Sequence, residues 1–125
     1  MPERKKEIEY KAVAGVITFS LGLVIAVILG ILPELLSRGH TILLLGILGI
    51  IAGIINVTSE EVDRYLLAGL AFLVAGSGLI ALVRELPVGG LNLALVYIIQ
   101  NIVAFVAPAI GIIGLKVIYD VAKSK

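Results

Sequence analysis

Long uncharged stretches alternate along the chain with short charged ones. The uncharged runs cover residues 12–33, 39–59, 65–83 and 86–115, which are 22, 21, 19 and 30 residues long. All 19 charged side chains fall in the remaining 33 positions. A helix rising 1.5 Å per residue needs about 20 apolar residues to cross roughly 30 Å of hydrocarbon. Each run meets or nearly meets that length. A buried helix of a water-soluble bundle would carry a polar stripe at helical spacing, and none of the runs has one. The pattern predicts four transmembrane helices, at about 12–33, 41–58, 62–84 and 91–118, in a single domain.

The connections are short. Residues Pro33 to His40 join the first two spans, and Leu86-Pro87-Val88-Gly89-Gly90 joins the last two. Proline fixes φ and glycine frees it, so both stretches read as turns. Links this short make sequential helices antiparallel neighbours. The expected fold is all-α, an integral membrane up-down-up-down four-helix bundle. In the middle connection, Thr58-Ser59-Glu60-Glu61 fits a capping box, which starts the third helix at about Ser59 and runs it to Arg84.

Composition agrees with this picture. Hydrophobic residues make up 60% of the chain and charged ones 15%, against about 45–50% and about 25% in soluble domains. So much apolar surface has no place in a soluble interior of this size, which excludes a water-soluble enzyme or a disordered tail. The chain has no cysteine, hence neither a disulfide framework nor a thiolate nucleophile. A net charge of +1 gives no basis for a nucleic-acid partner.

Orientation follows from lysine and arginine in short loops. With the N-terminus cytoplasmic, the inside holds Arg4, Lys5, Lys6, Lys11, Arg64, Lys116, Lys123 and Lys125, and the outside only Arg38 and Arg84. Both termini are therefore expected on the cytoplasmic face of a multi-pass protein of the cell membrane. The sequon Asn56-Val57-Thr58 then lies on the side where it stays unmodified. The first span is too long for a signal core and ends in Leu32-Pro33-Glu34-Leu35 without a small-residue cleavage site, so it reads as retained.

Helices in lipid associate through close backbone approach and interhelical hydrogen bonds. Small residues are therefore the candidate packing or oligomer positions. They are Gly22, Ala26 and Gly30 on the first helix, and Gly46, Gly49 and Gly53 on the second. The third carries Ala71, Ala75, Gly76 and Gly78, and the fourth Ala104, Ala107, Gly111 and Gly114. Gln100 and Asn101 are the strongly polar pair at membrane depth. Gln100 shares the stripe of Ala104, Ala107 and Gly111 and is expected on a packed seam. Asn101 faces elsewhere with Tyr97 and Phe105. The pair reads either as a clasp between helices or as the lining of a permeation path. Pro108 frees the carbonyl of Ala104 and should kink the helix there.

No Asp, Glu, Lys, Arg or His lies in the interior of a span, Asp63, Arg64, Arg84 and Lys116 falling at span ends, which leaves no proton relay or voltage-sensing charge. His40, the sole histidine, reads as a solvated residue of an outer turn. No catalytic residue, metal site or cofactor site is expected.

Asn56-Val57-Thr58-Ser59-Glu60-Glu61 and Asn101-Ile102-Val103-Ala104-Phe105-Val106-Ala107-Pro108-Ala109 resemble small four-helix membrane proteins of archaeal type. The resemblance covers the second half of the chain. It implies an archaeal cell membrane and no particular chemistry. The reading is a non-enzymatic, self-associating structural subunit, with membrane lipid and copies of itself or a larger membrane complex as partners. The alternatives are a small channel or facilitator lined by Gln100 and Asn101, and a lipid-associated filament or pilus subunit.

Overall fold

The computed structural model describes residues 2–56 and 62–124. They form four helices: α1 (Pro2–Ile31), α2 (Arg38–Asn56), α3 (Val62–Arg84) and α4 (Leu91–Lys123). All four are long and apolar enough to cross a membrane, α1 through its Val13–Ile31 portion. Leu67 and Val74 on α3 are 71% and 79% exposed. Such side chains cost little against acyl chains, which are as apolar as they are. The capping box at Thr58–Glu61 and the start of the third helix at Ser59 lie outside the described residues.

Two devices shape the turns. Ser37 precedes α2, and its hydroxyl accepts the His40 backbone N–H at 3.3 Å while lying 2.6 Å from His40 Nδ1. The serine thereby satisfies a donor that the helix start leaves open. His40 is consequently an exposed residue of the first turn of α2, and the helix begins as early as Arg38, short of the loop expected up to His40. At the other turn, Gly89 has φ +65°, a conformation that a side chain makes costly. Asn92 follows, and its Nδ2 donates to the carbonyls of Val83 at 2.7 Å and Leu86 at 2.6 Å. It closes the carbonyl end of α3, a role that nothing in the local sequence signals.

α4 is the hub. It packs against each of the other helices, and α1 also packs against α2. α3 rests chiefly on α4, so α2 and α3 are not the close neighbours expected from chain order. The registers run in opposite senses for α1 and α3 and in the same sense for α2. Thus Gly22 and Gly30 meet Phe105 and Ile98, Gly69 and Gly76 meet Ile110 and Val103, and Gly49 and Gly53 meet Phe105 and Ala109. The core comprises Ala26, Leu45, Ala52, Phe105, Val106 and Ile110. The Phe19 ring meets Tyr65 edge-on at 5.6 Å between centroids and Phe105 at 5.5 Å. α4 is helical without interruption through Pro108.

The packing is one of large residues into glycine notches, with α4 supplying the large residues. A Cβ on Gly30 would stand 2.8 Å from the backbone N of Ile98, and one on Gly53 would stand 2.9 Å from the Ala109 carbonyl oxygen. Only a hydrogen atom fits at those places. On α3 the notches are Gly69 and Gly76, while Ala71, Ala75 and Gly78 are exposed. Of the small residues expected on α3, Gly76 meets α4 and the other three face away, because the contact runs through Gly69 and Gly76, seven residues apart.

Candidate functional site

Where the three notched helices close around α4, its adjacent amides Gln100 and Asn101 fall into place. Asn101 is fully buried and Gln100 half-buried. Asn101 Nδ2 donates to the Ala26 carbonyl of α1 at 3.0 Å, a carbonyl within the α1 helix itself. Its Oδ1 accepts from Arg38 Nη1. Arg38 Nη2 donates to Gln100 Oε1 at 3.0 Å. Arg38, the first residue of α2, thus reaches along the bundle to a level where α4 carries both amides. One asparagine ties α1, α2 and α4 together. Hydrogen bonds to an ionised donor are about twice as strong as neutral ones.

The guanidinium also lies against an aromatic face, with its Cζ 5.2 Å from the centroid of the Tyr97 ring. A cation over a ring face is attracted by the ring quadrupole. Among the described residues the one ion pair is Lys116–Asp120, exposed at 2.6 Å near the far end of α4. The cationic head of Arg38 is therefore held by neutral groups alone. Sequence reasoning assigned Arg38 only to an outer loop. Its reach into the bundle depends on α2 starting opposite Tyr97 and Asn101, a register that local pattern does not encode.

Most of the expected stripe on α4 is turned outward, although Ala104 packs against the core. Ala107 and Gly111 are exposed, Ala104 and Gly114 are half-buried, and nothing lies within 4 Å of a Cβ built on Gly111 or Gly114. The face carrying Asn101, Phe105 and Ala109 is the buried one. The packed seam expected for Gln100, Ala104, Ala107 and Gly111, either internal or between subunits, is for most of that stripe not the internal one. The physical reason is that the partner helices contribute the small residues, so α4 must contribute the large ones. Gly22, Ala26, Gly30, Gly49 and Gly53 are buried in that internal seam, whereas Gly46 is half-buried with open space around it.

Three recesses border these features. A cavity of about 90 Å³ at the Arg38 end is lined by Leu29, Pro33, Leu36, Arg38, Thr41 and Tyr97. A wider recess of about 450 Å³ reaches Arg84, Asn92 and Gln100. A cavity of about 380 Å³ opens between the four helices, lined by apolar residues including Leu23, Phe72 and Val106 together with Asn56 and Tyr65. Asn56 donates through Nδ2 to the Ala52 carbonyl at 2.7 Å, and Thr18 through Oγ1 to the Ala14 carbonyl at 2.6 Å. Both satisfy themselves within their own helix. Among the described residues no three His, Cys, Asp or Glu side chains converge as metal ligands would. No family model, curated protein or solved structure matches the chain.

Proposed function

We propose that the chain is a non-enzymatic, self-associating building block of a membrane complex. In this reading the four helices insert up-down-up-down into the cell membrane with both termini cytoplasmic. The observation that carries it is the outward small-residue face of α4. Ala107 and Gly111 are exposed, and open space surrounds both Gly111 and Gly114. Their neighbours on α4 are occupied on one side by α2, through Gly49 and Gly53, and on another by α3, through Gly69 and Gly76. The free face lies between those contacts, as a shallow floor that admits a further helix backbone. Glycine-lined surfaces allow the close approach on which helix association in lipid depends.

A permeation path within one chain has less support. Both amide oxygens of Gln100 and Asn101 accept from Arg38, and Phe105, fully buried, fills the centre between Gly22 and Gly49.

Because the chain contains no cysteine, single-cysteine crosslinking in membranes tests the proposal cleanly. Ala107→Cys and Gly111→Cys should give disulfide-linked dimers under mild oxidation, and Leu67→Cys on α3 should not. Gly111→Leu should abolish the Ala107→Cys crosslink while far-UV circular dichroism stays unchanged. Monomers alone, at every protein-to-lipid ratio and by single-molecule photobleaching, would overturn the reading.

A further inference from the structure

We propose that Arg38, Thr41 and Tyr97 form a binding site for a phosphate group, supplied by the headgroup of a membrane lipid. A guanidinium has five N–H donors in a fixed fork. Two of those of Arg38 go to Asn101 Oδ1 and Gln100 Oε1, which leaves three without a protein acceptor among the described residues. The amides orient the fork but carry no charge. Glu34, in the nearby turn, makes no ion pair with Arg38. The positive charge is thus positioned but not neutralised, and Tyr97 supports one face of it at 5.2 Å. Arginine held in this way suits bidentate contact with phosphate oxygens.

A second, independent observation comes from Thr41. It is 4% exposed and lines the same 90 Å³ cavity as Arg38 and Tyr97. Its backbone N–H bonds to the Ser37 carbonyl at 2.9 Å, yet its hydroxyl has no hydrogen-bond partner among the described residues. Its Oγ1 is not sealed from solvent, so in a residue that lines the cavity it is a donor open to whatever occupies that space. An oxyanion in the cavity would take that donor and the free N–H groups of Arg38 together. The first turn of α2 adds its own partial positive charge.

The location selects a lipid over a soluble ion. Arg38 begins an apolar span, at the level where acyl chains give way to headgroups. The rest of the cavity wall is Leu29, Pro33 and Leu36, an apolar rim suited to the first carbons of the chains. Soluble phosphate presents the same oxygens but gains nothing from that rim.

Native mass spectrometry of the purified chain in mild detergent tests the site, using phosphatidylglycerol, diacylglycerol of the same chain length and inorganic phosphate as probes. Wild type should retain phosphatidylglycerol and not diacylglycerol. Arg38→Gln should lower retention by at least about tenfold, the loss of one charge-assisted hydrogen bond, and Arg38→Lys by less. Thr41→Val, which keeps the α2–α4 contacts of Arg38, should lower retention severalfold with unchanged circular dichroism. Equal adducts on wild type, Arg38→Gln and Thr41→Val, or equal retention of diacylglycerol, would overturn the proposal. Arg38-dependent binding of inorganic phosphate that displaces the lipid would overturn the lipid as occupant and assign the cavity to a soluble phosphate.

Discussion

Gly49 and Gly111 should respond in opposite directions to the same added methyl group. A Cβ on Gly49 would overlap the carbonyl oxygen of Phe105. That atom belongs to the backbone of α4, so no rotamer change relieves the contact and α2 must move away from the hub. Overpacking of a tight site costs about 1–3 kcal/mol, and a backbone contact belongs at the upper end. Replacing a helical glycine by alanine returns about 1 kcal/mol of helix propensity. Gly49→Ala should therefore lose about 2 kcal/mol net. Nothing lies within 4 Å of a Cβ on Gly111, so Gly111→Ala should gain up to about 1 kcal/mol in the isolated chain. The two variants differ by about 3 kcal/mol, roughly a hundredfold in the unfolding equilibrium. Unfolding in mixed micelles, followed by far-UV circular dichroism at dilutions that hold only monomers, measures the difference. A Gly49→Ala chain as stable as wild type, or a Gly111→Ala chain as weak as Gly49→Ala, would refute the assignment of inner and outer glycine faces.

Two further outcomes follow from the polar contacts and the turns. Asn101→Leu removes the bond to Ala26 and the acceptor for Arg38 Nη1. At about 0.6–1.7 kcal/mol for each interhelical bond in lipid, the same unfolding assay should show a loss of about 1–3 kcal/mol. Gly89→Ala forces a side chain into φ +65°, which costs about 1–2 kcal/mol; its melting transition should fall, while Gly90→Ala, with open space around it, should melt as wild type does.

The residues that carry the internal contacts were only partly legible. The importance of Gly22, Gly30, Gly49 and Gly53 could be read from their spacing, because close approach in lipid demands small residues wherever it occurs. Their partners could not. A stripe such as Ala104-Ala107-Gly111-Gly114 has the same spacing whether it faces a helix of its own chain or the outside. The candidate site was split in the same way. Gln100 and Asn101 stood out as amides in an apolar run, since such groups must find partners. Arg38 did not, because a cation beside a turn ordinarily stays in water. Asn92 and Thr41 carried no local signal at all.

The amino-acid order by itself determined the number of helices, the approximate extent of their apolar spans and the turn at Gly89. Those depend on hydropathy over about 20 residues and on backbone freedom at single positions, which are local quantities. Only the tertiary structure decided that α4 is the hub, that its Ala107 and Gly111 point outward, and that a cation from α2 is held by amides on α4. These are matters of relative rotation and register between helices. An apolar helix surrounded by acyl chains gains little from turning one oily face rather than another inward, so hydrophobicity does not select the rotation. The shapes of Phe105, Ile98, Val103 and Ile110 against five glycines, and of Ala109 and Ile112 against Gly53, do.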